Sequence, residues 1–238
     1  MKLEILAFGA HPDDVELGCG GTIAKEVAAG KKVGIIDLTR GELGTRGSVA
    51  LRNTESSNAA QILGVSIREN LDMRDGFFEN NEENQLKIIQ IIRKYQPEIV
   101  LCNAIDDRHI DHAKGSKLVS DACFLSGLMR IETVFDNKIQ KAWRPKLVYH
   151  YIQWKDLKPD FVVDISAFND QKTKAILAYA SQFYNPDSNE PETLIATKNF
   201  KESLSYRSKN FGRLIGTDFA EGFTTERYLG VSNLGDLI

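Results

Sequence analysis

Apolar and polar positions alternate along the chain in blocks of two kinds. Short, mostly apolar runs, at residues 3–8 (LEILAF), 33–39 (VGIIDLT) and 98–103 (EIVLCN), predict strands buried on both faces. Residues 66–71 (SIRENL) alternate with period two, as a half-buried strand does. Between these runs lie stretches of helical period. Residues 23–29 lie within one that ends near Gly30, and others cover 49–63 before Gly64, 82–95 before Pro97, and 111–125. Strand and helix in strict alternation predict right-handed crossovers, and hence an α/β fold with a Rossmann-like, mostly parallel sheet covered by helices on both faces. Further strands are expected at 146–153 and 161–166, and further helices at 169–183 and 198–215. The polar segment 184–192 (YNPDSNEPE) reads as a flap-like loop. No repeat, low-complexity tract or linker divides the sequence, so residues 1–238 read as one domain.

Two segments follow apolar runs directly and carry chemistry that a core does not need. GAHPDD (9–14) follows the first strand, and CNAIDDRHIDH (102–112) follows the fourth. Three of the four histidines fall in these segments, beside Asp13, Asp14 and Asp111. Ligands in open α/β sheets bind beyond the carboxyl ends of the strands, where strand order reverses. Adjacent carboxylates repel one another, and a divalent cation resolves that conflict. His11 and Asp14 supply two ligands on one turn, and His109 or His112 supplies a third; a catalytic site adds an open position for water. The other aspartate of the 13–14 pair is then placed as a general base. Asp111 suits the role of holding a histidine tautomer. His150 alternates with apolar neighbours in a strand and reads as structural.

The glycines of GCGG (18–21) after a first strand, with Asp37 downstream, raise a dinucleotide-binding reading. The third fingerprint position would fall at Ile23, and Asp13 and Asp14 would face the pyrophosphate. A dinucleotide-binding oxidoreductase is therefore the remote alternative. The glycines are better explained by close packing of the first helix.

A net charge of −3 excludes the basic field of a general nucleic-acid binder. No apolar segment approaches the length of a membrane span, and no secretory leader is evident. Three widely spaced cysteines form neither a disulfide framework nor a thiolate metal site. A cytoplasmic location is expected. Arg40, Arg46 and Arg52 cluster after the second strand, and Arg108 precedes His109. Arginine's planar fork suits carboxylates, so an anionic substrate is expected, with Arg52 and Arg108 the foremost contacts and Arg144 a weaker one.

AHPDD (10–14) and HIDH (109–112) resemble the paired motifs of the zinc-dependent deacetylases of the LmbE/PIG-L family. The likeness continues through LTRGELGTRGS (38–48) and DFAEGF (218–223), which resemble the bacillithiol-biosynthesis branch acting on N-acetylglucosaminyl malate. The resemblance implies His11, Asp14 and His112 as ligands of one Zn²⁺, other divalent transition metals being able to replace it. It implies Asp13 as base and His109 as oxyanion stabiliser, with Asp111 behind His109. It also implies a homo-oligomer, a hexamer being one form, and a sugar substrate with an anionic aglycone; another GlcNAc-type or thiol-conjugate amide is the alternative within the family. Some relatives place a tyrosine near the metal. Phe200 in KNFKE stands at the counterpart here, so no catalytic tyrosine is assigned.

Overall fold

A computed structural model describes residues 1–237. In chain order the elements are β1 (Ile5–Gly9), α1 (Asp14–Ala28), β2 (Val33–Thr39), α2 (Val49–Leu63), β3 (Ile67–Met73), α3 (Glu82–Tyr95), β4 (Ile99–Cys102) and α4 (Ile110–Leu125). A small hairpin follows, β5 (Val134–Phe135) and β6 (Lys138–Ile139). Then come β7 (Leu147–Tyr151), β8 (Phe161–Asp164), α5 (Asn169–Leu177), α6 (Lys198–Ile215) and β9 (Ala220–Thr225). Seven strands form one sheet in the order β3-β2-β1-β4-β7-β9-β8. β1 to β4 and β7 run parallel, while β9 is antiparallel to both β7 and β8.

Alternation along β1 divides the core in two. Leu6 and Phe8 pack with Ile88, Ile92, Leu118 and Val119 of α3 and α4 on one face. Ile5 and Ala7 pack with Val15, Ile23, Ala59 and Ile176 of α1, α2 and α5 on the other. β1 and β2 are buried throughout, which accounts for their mostly apolar sequence. β3, on the edge, is mostly half-buried and carries Arg68, Glu69 and Asp72. Ser48, Asn81 and Thr197 each accept a backbone N–H at the start of α2, α3 and α6.

The chain from β1 goes to β2 on one side, and β4 lies on the other, so strand order reverses between β1 and β4. The crevice expected at such a reversal lies at the carboxyl ends of these strands, where GAHPDD and CNAIDDRHIDH begin.

One strand escapes the sequence pattern, and one helix is shorter than expected. β9 is absent from the hydropathy pattern: residues 220–225 carry Glu221 pointing inward, which masks the strand. Its carboxylate accepts hydrogen bonds from Gly21 N (2.9 Å), Thr22 N (2.7 Å) and Lys172 Nζ (2.7 Å). The helix expected over 169–183 ends at Leu177, because Glu55 captures Ser181 through its N and Oγ, both at 2.7 Å. α1 contains the expected helical stretch within Asp14–Ala28 and is interrupted at Cys19, whose φ of −144° is not helical.

Candidate active site

The turn after β1 is held from two neighbouring strands. Ala10 N donates to Asn103 Oδ1 (2.9 Å) beyond β4, and Thr39 Oγ1 at the end of β2 donates to Ala10 O (2.8 Å). Asp13 then adopts φ 116°, a left-handed conformation that strains a residue with a side chain. Strain of about 1–3 kcal/mol is kept where geometry matters to function. The turn brings the buried Asp13 carboxylate against Arg52, whose Nη2 donates to Oδ2 at 3.0 Å.

Asp14 lies between two imidazoles. Its Oδ2 is 3.6 Å from His11 Nδ1, and its Oδ1 is 3.1 Å from His112 Nε2. Three donors fix this carboxylate: His11 N and Asn103 Nδ2 to Oδ2, and Gln153 Nε2 to Oδ1, each at 2.9 Å. The far nitrogen of each histidine is also engaged. His11 Nε2 lies 3.1 Å from Asp75 Oδ1 and 3.3 Å from Asp111 Oδ2, and His112 Nδ1 lies 2.6 Å from Asp107 Oδ2. These carboxylates accept the ring N–H, so a cation that displaces the second proton would find lone pairs at His11 Nδ1 and His112 Nε2, facing Asp14.

The residues fit a divalent transition metal. Two imidazole nitrogens and a carboxylate are the donor types such an ion takes, and Asp14 faces the two nitrogens through different oxygens, Oδ1 towards His112 Nε2 at 3.1 Å and Oδ2 towards His11 Nδ1 at 3.6 Å. His109 joins the cluster: one nitrogen from each of His11, His109 and His112 falls within 4.8 Å of the others.

The cluster's potential favours positive charge. Burial opposes protonation of His11, but hydrogen bonds to Asp111, Asp14 and Asp75 outweigh it and hold the imidazole well above its usual range. Against the same opposition, Asp14 and Asp107 hold His112 up to about 9. An environment that retains protons there equally retains a cation that displaces them. Burial pushes the Asp13 carboxyl up to about 7 despite the Arg52 guanidinium. His109 moves the other way: burial, then His11 and His112, lower it. Its Nδ1 accepts the Asp111 N–H at 3.3 Å, so its proton sits on Nε2.

These groups form the floor of a cavity of about 720 Å³. Of the arginines expected there, Arg46, Arg52 and Arg108 line it. Arg144 does not: it is exposed, lies over Phe124 and donates to Phe124 O, because the segment before β7 carries it away from the strand ends. Arg40 pairs with Asp72 outside the cavity. Arg46 is spent on the 181–191 loop, donating to Ser181 O (2.8 Å), Pro191 O (3.0 Å) and Ser188 Oγ (2.9 Å).

Asp111 is not behind His109. Residues two apart on a helix do not share a face, and the Asp111 carboxylate turns inward to His11, Gly76 N (2.7 Å) and Lys114 Nζ (2.9 Å). Phe200 lines the cavity, stacked on Trp154 with ring centroids 5.4 Å apart; among the described residues no tyrosine lines it.

Sequence reasoning missed Asp107, Asp75, Asn103 and Gln153. Asp107 and Asn103 lie inside the segment already singled out, but DD gives no sign of which aspartate faces inward. Gln153 follows β7, a third strand ending at the same edge, and pairing β7 with β4 would have pointed to it.

The structure removes the dinucleotide reading. A Cβ at Gly18 would lie 2.1 Å from Tyr151 Cδ2, and one at Gly21 would lie 2.6 Å from Ile165 Cδ1, so side chains fill the space against the glycines. Asp37 is buried against Arg68, which donates to it through Nε (2.7 Å) and Nη2 (2.8 Å).

Comparison with known proteins agrees with this geometry. Residues 6–123 match the family model described as PIG-L: GlcNAc-PI de-N-acetylase. A conserved protein of Thermus thermophilus is 35% identical, superposes with a TM-score of 0.86, and is matched over 97% of this chain and 98% of its own. The diacetylchitobiose deacetylase of Thermococcus kodakarensis is 29% identical over 229 residues, covering 92% of this chain and 81% of its own. The 4-oxalmesaconate hydratase of Pseudomonas putida is 27% identical over 193 residues, 74% of this chain and 73% of its own. With the fold, the paired strand-end motifs and these likenesses in agreement, the chain belongs to the PIG-L (LmbE-like) family of de-N-acetylases.

Proposed function

We propose that this chain is a zinc-dependent N-deacetylase of an N-acetylglucosamine conjugate with an anionic aglycone, N-acetylglucosaminyl L-malate being the foremost candidate substrate. One observation carries the reading: a strained, buried carboxylate, Asp13, stands beside a His–Asp–His donor set at the floor of a sugar-sized cavity. His11 Nδ1, Asp14 and His112 Nε2 would hold the metal. A metal bound there supplies Lewis acidity, polarising a carbonyl and lowering the pKa of water.

Asp13 supplies the base. Its carboxylate accepts a proton from water as the oxygen attacks the acetyl carbon. Neutral His109 donates its Nε2–H to the developing oxyanion, a task that suits an imidazole held below its usual range. Asp13 then returns the proton to the departing nitrogen as the C–N bond breaks, giving acetate and a free amino sugar. Arg52 keeps Asp13 ionised and oriented.

The test is acetate release from N-acetylglucosaminyl malate, N-acetylglucosamine and diacetylchitobiose, with elemental analysis of the purified protein. Acetate with about one zinc per chain is expected. Protein that releases none from any of the three, or that works at full rate without metal, contradicts the reading. Hydration, the reaction named for the Pseudomonas relative, would leave the N-acetyl group intact and is separated by the same assay.

A further inference from the structure

Four arginines line the cavity: Arg46, Arg52, Arg108 and Arg207. Two are committed, Arg46 to the 181–191 loop and Arg52 to Asp13. The other two have no ion-pair partner among the described residues. The Arg108 guanidinium lies over the Trp154 ring, 4.8 Å from its centroid. Arg207, half-buried on α6, donates Nη2–H to Trp154 O at 3.0 Å. The carboxylates that act on Arg207, Asp107 and Asp156, do so from beyond ion-pair range. Asp107 is already occupied by His112 Nδ1 and the backbone N–H groups of Arg108 (2.8 Å) and Lys155 (3.0 Å). Two guanidiniums are thus anchored on one tryptophan, with most of their donors unspent, in the cavity that holds the His–Asp–His cluster.

A half-buried cation without a counter-charge is costly unless something negative completes it. Arginine's fork is built for oxyanions, and cation–π stacking or a single carbonyl bond leaves it free to bind one. We propose that Arg207, with Arg108, forms the anion subsite of the cavity and takes a carboxylate of the substrate's aglycone. Arg207 is then a specificity-determining residue supplied by α6, far in sequence from the two motifs. Naming the aglycone rests on the N-deacetylase reading; the existence of the subsite does not.

Calorimetric titration of L-malate and of glycerol phosphate into the whole metal-loaded protein tests the subsite directly. L-Malate is expected to bind, and its Kd to rise at least about tenfold in Arg207→Gln, with Arg207→Lys in between because charge is kept and the fork is lost. The ratio of kcat/KM for N-acetylglucosaminyl malate to that for a neutral methyl N-acetylglucosaminide is expected to fall about tenfold or more, through KM. Arg213→Gln, on the exposed side of the same helix, controls for helix perturbation. Equal malate affinity in Arg207→Gln and Arg213→Gln overturns the proposal, as does an unchanged substrate ratio. Tighter binding of glycerol phosphate than of malate overturns the carboxylate assignment. If Arg207→Gln does not fold, undiminished malate affinity in Arg207→Lys counts against the fork. Malate binding that depends on Arg207, in a protein that deacetylates neither sugar, would sink the deacetylase reading and leave the subsite standing.

Discussion

Among the described residues, two histidine–carboxylate clusters are built from the same residue types, and they differ in whether the acids outnumber the imidazoles they meet. His150, in β7, is buried; its Nδ1 lies 2.7 Å from Ser116 Oγ and 3.2 Å from both Cys102 Sγ and Asn103 O, while its Nε2 lies 3.0 Å from Glu226. One imidazole meets one carboxylate there, and every ring atom that can hydrogen-bond does so. At the strand ends His11 and His112 face Asp14, Asp75, Asp107 and Asp111, with Asp13 alongside. That surplus of acid cannot be balanced by the imidazoles alone. A histidine whose neighbours complete it serves the fold, whereas a surplus at the point where strand order reverses calls for something from outside.

Four experiments bear on this contrast, the largest expected effect first. Asp13→Ala should lower deacetylation by about 10²–10⁴-fold, the usual worth of a general base, with metal content retained. Persistent turnover would show that the surplus at the strand ends serves only to hold a cation. Asp107→Asn should weaken metal affinity by about 10–100-fold, measured by competition with a chelating dye, because His112 loses the carboxylate that fixes its tautomer. Arg52→Gln removes the cation that favours ionised Asp13. The Asp13 pKa then rises further, and the acid limb of kcat/KM should move to higher pH by about one unit or more.

The smallest effect is expected at the His150 cluster. Burial opposes protonation of His150, but Cys102 and Glu226 hold it up to about 10. Its folded value thus lies above the unfolded one of about 6.5, so the stabilisation is complete below about pH 6.5 and fades as pH rises towards 10. Glu226→Gln should lower Tm by a few degrees near pH 6 and by nothing near pH 10, a change of about 1 kcal/mol given the exposure of Glu226. Loss of acetate release in this variant would erase the distinction between the two clusters.

The parallel half of the sheet was legible because its central strands are buried on both faces, and the ranges 33–39, 49–63 and 82–95 match the observed elements. The antiparallel half was less so: β9 hides an inward acid, and α5 is cut short by a hydrogen bond to a residue 126 positions away. Both site segments could be read because a buried strand followed by acids and histidines has no structural motive. The residues that aim them could not. Asp75, Gln153 and Arg207 reach the cavity from three further elements, and only the folded path brings them together. Arg144 shows the opposite failure: a plausible charge whose strand leads elsewhere.

Gly18 lies one helical turn, about 6 Å, from Asp14, and Tyr151 occupies the volume its side chain would take. Tyr151 is itself tethered, its hydroxyl donating to Phe8 O at 2.8 Å. The depth at which α1 seats on the sheet is therefore set by a missing methyl group. Even alanine at position 18 would lift the start of the helix, and with it both aspartates, off the strand ends, so that damage to the reaction could arise from a residue that touches neither substrate nor metal.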